Sequence, residues 1–228
     1  MDENRLEFDF QSYSAKYLEI LQQIIMTPAS FYRQMSKSGG LVDPLVFMVV
    51  MSIAAGLIRA ILGIVGIGFA GSFSAALASI ILIPVFTVIF GFIGAAILFV
   101  IWKAMGSQEP FEVAFRCFAY AAAISPITAV VNAIPYIGAV LGLVWMTYLL
   151  VTASKEVHNL QPRLSWIVFG AICAILSIAS INAQITARNM AKRLGAAQNR
   201  FGQINQMKPE EAGKALGEFM KGVQKGSR

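Results

Sequence analysis

Residues 115–158 read FRCFAYAAAISPITAVVNAIPYIGAVLGLVWMTYLLVTASKEVH, and no charged residue occurs from Cys117 to Ser154. Those 38 residues are too many for one membrane crossing and suit two, because one crossing takes about 20 apolar residues. Pro126, Asn132 and Pro135 stand near the middle. The stretch therefore predicts a helical hairpin buried in a bilayer, with span three over about 112–130, a tip at Asn132 and span four over about 135–154.

The chain outside this hairpin is also apolar. Of its 228 residues 57% are hydrophobic and 13% charged, roughly half the charge of a soluble domain. From Pro44 to Trp102 there is one charge, Arg59, and GFAGSF at 68–73 is the turn-like interruption. Span one is expected at about 43–67 and span two at about 74–102, tilted or bent at Pro84. KAMGSQEPFEVAFR at 103–116 and SKEVHNLQPR at 154–163 are polar connections. Span five is expected at about 164–185. The fold class is all-α, a polytopic integral membrane helical bundle of five spans, divided as an N-terminal segment 1–40, a membrane domain 41–185 and a tail 186–228.

The flanking segments have their own patterns. MDENRLEFDF lacks the basic start and early apolar core of a secretory signal, so the first span is expected to direct insertion. In 13–26, Tyr17, Leu18, Leu21, Ile24 and Ile25 recur at helical spacing, which predicts an interfacial amphipathic helix lying in the membrane surface, with packing on the protein's own core as the alternative. Thr27-Pro28 ends that pattern, ASFYRQM can start a second short helix, and SKSGG at 36–40 is a flexible break. Beyond span five, Met190, Leu194, Ala197, Phe201 and Ile204 recur at intervals of four and three, a two-heptad seam suited to a homo-oligomer. Pro209 is expected to open a last, basic helix.

Charge assigns sides. Residues 1–40 carry net −1, residues 41–184 net +1 and residues 185–228 net +6. Lys and Arg sit in the N-terminal segment and in the 103–116 and 155–163 connections, with none at 68–73 or 131–134, which puts the N-terminus in the cytoplasm. Five spans then send the C-terminal tail outside, against the preference of Arg188, Lys192 and Arg193; a re-entrant span three is the alternative. Basic amphipathic helices beside a membrane suit anionic lipid rather than nucleic acid.

Few residues suggest chemistry. Arg59, about halfway through span one, needs a partner or a wet cavity, since a mid-bilayer arginine costs at least about 2.5–3.5 kcal/mol. Glu112 is a candidate partner; a snorkelling side chain is the plainer account. Asn132 with its prolines is a site, a gate or simply the hairpin turn, and Gly138 and Gly142 form a small-residue notch for helix packing. His158, the single histidine, sits in a polar loop and reads as a surface residue. Cys117 and Cys173 lie in apolar runs and read as packing residues. HExxH, GxSxG and phosphate-binding glycine loops are absent, so no enzyme and no cofactor are expected.

MTPASFYRQM at 26–35, the segment 115–145 with Tyr120 before the Pro126 hairpin and "IPYIG", and KEVH after span four, taken in that order, resemble the Yip family of five-span proteins in its prokaryotic branch. The resemblance implies five spans, a cytoplasmic N-terminus, an exterior or lumenal C-terminus and, for this branch, the bacterial inner membrane. Eukaryotic members assist vesicle traffic with small GTPases; the DLYGP-type stretch of those members is missing, and the long basic tail departs from the pattern. No catalytic residue is implied. The expected function is non-enzymatic organisation of membrane or partner proteins, whose identity the sequence does not name, and the alternative is a small channel or carrier using Arg59 and the hairpin.

Overall fold

A computed structural model describes residues 10–65 and 73–204. The described residues are helical, without strands, in the order α1 (Phe10–Met26), α2 (Pro28–Gln34), α3 (Val42–Ile64), α4 (Phe73–Ala104), α5 (Phe111–Ala121), a 3₁₀ turn (Ala122–Ile124), α6 (Ser125–Val131), α7 (Ile137–Glu156) and α8 (Pro162–Ile204). Five stretches are long and apolar enough to cross a membrane: Val42–Ile64, Ile80–Ala104, Phe111–Val131, Ile137–Glu156 and Pro162–Ala196. The chain divides into two units, Met1–Ser180 and Ile181–Arg228. The last helix foreseen after Pro209 lies outside the described residues.

Span three is a broken helix. Proline has no N–H for the helical ladder, so the turn ahead of Pro126 tightens to 3₁₀ geometry before α6 resumes with Pro126 in its first turn. The three pieces together cover Phe111–Val131, long and apolar enough for a full crossing. Asn132 caps α6, and the chain reverses within five residues to Tyr136, whose φ of +65° begins α7.

The core gathers where α3, α5 and α7 meet the N-terminal helices. Helix α3 packs on α4, α5 and α6, while α2 packs on α7 and α1 on the 3₁₀ turn. Tyr120 stands at its centre, 5.4 Å from Phe47 and 5.2 Å from Phe31 between ring centroids; Tyr17 reaches Phe47 at 5.8 Å. Ile24 is fully buried in the same cluster. The N-terminal helix is therefore packed on the protein's own core along Tyr17, Ile20, Leu21 and Ile24. Leu18 and Met26 remain exposed on its other sides.

Candidate functional site: the laced end of the membrane domain

Three connections meet at one end of the first unit: 36–40 before α3, 105–110 between α4 and α5, and 157–161 between α7 and α8. Each supplies polar groups that its helices cannot satisfy alone. Lys37 Nζ lies 2.6 Å from Glu109 Oε1 and donates to the Val157 carbonyl at 2.9 Å, so one ammonium ties all three together. Gly40 adopts φ +81°, open to a glycine, and presents both its backbone groups to α5. Its N–H donates to Glu112 Oε1 at 2.7 Å and its carbonyl accepts from Arg116 Nη1 at 2.8 Å. Arg116 is only 5% exposed, 4.0 Å from Glu112, and its Nε has no partner among the described residues.

Arg33 on α2 donates from Nε to Glu156 Oε2 at 2.9 Å, and Lys155 Nζ lies 3.2 Å from the other carboxylate oxygen without hydrogen-bond alignment. Beneath these ion pairs is a neutral network. Trp102 donates from Nε1 to Ser154 Oγ at 2.7 Å, and that hydroxyl donates to the Leu150 carbonyl at 2.7 Å. The indole stacks on His158 with centroids 4.0 Å apart. His158 Nδ1 is 2.7 Å from Ser107 Oγ, which also accepts from the Glu109 N–H at 3.2 Å. His158 Nε2 faces Cys117 Sγ at 3.9 Å. Tyr32 donates to the Cys117 carbonyl at 3.3 Å, and burial holds its phenol well above the ordinary value.

His158 is thus a buried residue, which corrects the surface reading. The correction has a physical cause. The indole of Trp102, 56 positions earlier in the chain, folds over the loop and removes the imidazole from water. Burial, which penalises the charged form, pushes its pKa down to about 4. The imidazole is neutral at ordinary pH, the Cys117 thiol is fully buried, and Glu109, Glu112 and Glu156 each face a cation. This arrangement clamps three chain segments. Among the described residues no three His, Cys, Asp or Glu side chains gather as metal ligands.

The other residues singled out from the sequence fall elsewhere. Arg59 is exposed and is the eighteenth residue of α3, about 25 Å of helix rise from the α3 start. Glu112 is bound to Gly40 at that start, so the structure does not bring Arg59 and Glu112 together. Asn132 is exposed at the hairpin turn with Pro135. Gly138 is tightly enclosed: a Cβ there would lie 2.1 Å from the Val131 carbonyl oxygen. At Gly142 it would lie 3.1 Å from Thr128 Cγ2. The notch joins α7 to α6. Met190 and Leu194 are exposed on α8, while the side chains of Ala197, Phe201 and Ile204 lie outside the described residues.

Sequence reasoning missed Trp102, Ser107, Ser154 and the clamp of Lys37. A signal existed in the polar connections 103–116 and 154–163, which share a side by alternation; their pairing partners had no local spacing to mark them. Comparison with known proteins returns no curated protein and no solved structure that matches. A family model described as the Yip1 domain matches residues 23–182, a stretch that begins in α1, contains every residue of the laced end and closes within α8. This polytopic membrane protein belongs to the Yip1 domain family.

Proposed function

We propose that this Yip1-family membrane protein is a non-enzymatic organiser of other membrane components, acting through the lateral faces of its spans. The observation that carries the reading is the uneven cover of its helices. The apolar window of Phe111–Val131 is 61% buried within the chain, whereas those of α4 and α8 are 11% buried. Two of five spans thus have few residues fully enclosed by the chain and keep broad apolar faces, such as Ile81, Phe86, Phe90 and Ile97 on α4, for lipid or other membrane helices. Their apolar side chains cost nothing in lipid, so association there depends on packing and polar contacts rather than on hydrophobic burial. The proposed partners are anionic lipids, further copies of the chain through the Met190–Ile204 seam, and other membrane proteins.

The orientation proposed is N-terminus in the cytoplasm and C-terminal tail outside, in a bacterial inner membrane. Arg33, Lys37, Lys103, Arg116, Lys155 and Arg163 support it, because all lie on segments that begin or end at the laced end. The experiment is a mass measurement by light scattering in mild detergent, with identification of the lipid and protein that co-purify. Leu194→Glu with Phe201→Glu should lower the mass if the seam joins copies; an unchanged mass, with nothing bound, defeats the reading.

The second reading is a small channel or carrier using Arg59. A single exposed guanidinium in the second half of α3 favours it. It requires flux through wild-type protein in proteoliposomes that Arg59→Leu abolishes.

A further inference from the structure

The Met190–Ile204 stripe does not begin at Met190. Counted back by the same alternation of three and four residues, it takes in Ala187 and Ala183, and helix α8 runs unbroken from there to Ile204. Three heptads then share one register within the second unit. Ala183 and Ala187 are exposed, Met190 is 56% exposed and Leu194 63% exposed.

The stripe is narrow. The positions that border it, up to Gln198, hold Gln184, Thr186, Ala191, Arg193 and Gln198, and none of these is a large apolar residue. A helix that lies on a membrane surface presents a wider apolar arc, about 100° or more, whereas a seam confined to two positions per heptad is the mark of a coiled coil. Ile185, the other large apolar residue between Ala183 and Leu194, stands at the back of the helix, away from the stripe.

Charge selects the occupant. In a second copy lying parallel and in register, the bordering residue opposite Arg193 is Gln198, five positions on. A guanidinium there meets an amide and not another cation. Copies inserted with one topology are parallel, so the membrane itself supplies this arrangement.

We infer that α8 of two copies pairs in parallel along Ala183–Ile204, with Ala183 and Ala187 as the close-approach stretch. The inference rests on the reading of the chain as an organiser that associates through its seam, and it adds where the pairing begins, its direction and its register. Small side chains let backbones approach closely, which is how helices associate where burial of apolar area yields little. From Arg188 onward the helix carries Lys192 and Arg193 and belongs to a polar setting, where Met190 and Leu194 supply apolar area to bury. One seam thus changes its side chains with its surroundings.

The test is disulfide formation in membranes holding the full chain, with single cysteines in a Cys117→Ala, Cys173→Ala background. A disulfide forms only where two Cα atoms come within about 7 Å. Under mild oxidation, Ala183→Cys, Ala187→Cys and Met190→Cys should give roughly tenfold more linked dimer than Asn182→Cys, Ile185→Cys and Asn189→Cys. A mixture of the Ala183→Cys and Met190→Cys chains should give no mixed dimer, because the register is fixed. Ala187→Phe should lower the Met190→Cys dimer roughly fivefold, and Asn189→Phe should leave it unchanged. Equal linkage on every face, as from a tail lying on lipid, overturns the proposal, and so does mixed dimer or the absence of linkage at 183 and 187. Whether the broader seam reading falls with it is decided separately, by the mass of the Leu194→Glu, Phe201→Glu protein.

Discussion

The two ends of the membrane domain are built on opposite principles. At the laced end, Lys37 joins the three connections, Arg33 pairs α2 with Glu156 of α7, and the buried Trp102–Ser154 and His158–Ser107 hydrogen bonds lie beneath them. At the hairpin end, residues 132–136 carry no charge, and α6 and α7 are held by the closeness that Gly138 permits. Charge tolerates water and can be competed away; steric fit cannot be screened. The difference teaches where the molecule can change state. Accessible pairs at one end can open, whereas the turn at the other end either fits or does not.

The largest effect should come from Trp102→Ala, which empties a fully buried site, removes the indole donor to Ser154 Oγ and uncovers one face of His158. A loss of about 3–5 kcal/mol is expected, read as a lower midpoint of thermal unfolding in detergent. If Trp102→Phe is equally damaging, the indole N–H rather than the ring volume dominates the laced end.

Gly138→Ala comes next and addresses the hairpin end alone. Its Cβ would meet backbone atoms of Val131 and Asn132, which cannot rotate away. The expected loss is about 3 kcal/mol, at the upper end of the usual cost of overpacking. It should be insensitive to salt. Full stability of this variant would show that the turn end is loose, and the contrast between the ends would fail.

The third test is acid. His158 has a folded pKa of about 4, below its unfolded value near 6.5. Above 6.5 the imidazole is neutral in both states and no penalty exists. As pH falls from 6.5 towards 4, the unfolded chain takes up a proton that the native state refuses. Stability should therefore fall by about 1.4 kcal/mol per pH unit, roughly 3 kcal/mol in all. His158→Phe should show a flatter profile across that window; an identical slope would mean that other groups carry it.

The smallest effect belongs to the surface of the laced end. A double-mutant cycle of Arg33→Gln and Glu156→Gln should report about 0.2–1 kcal/mol, lost in high salt. A coupling well above that, unaffected by salt, would mean the pair is a fixed part of the core, and the contrast between the two ends would weaken.

The five spans could be read directly, because each depends on local composition, whereas the helix break ahead of Pro126 was not foreseen. The family was legible in the same way, through motifs in sequence order. Only the tertiary structure decided that α1 is seated on the core, that Glu112 serves Gly40 and Arg116 instead of Arg59, and that His158 lies beneath Trp102. Several contacts at that end join residues far apart in the chain, such as Ser107 with His158, 51 positions apart, and Arg33 with Glu156, 123 apart. Polarity tells a residue to avoid lipid, but the partner that then satisfies it depends on which chain ends meet, and that follows from packing the spans together.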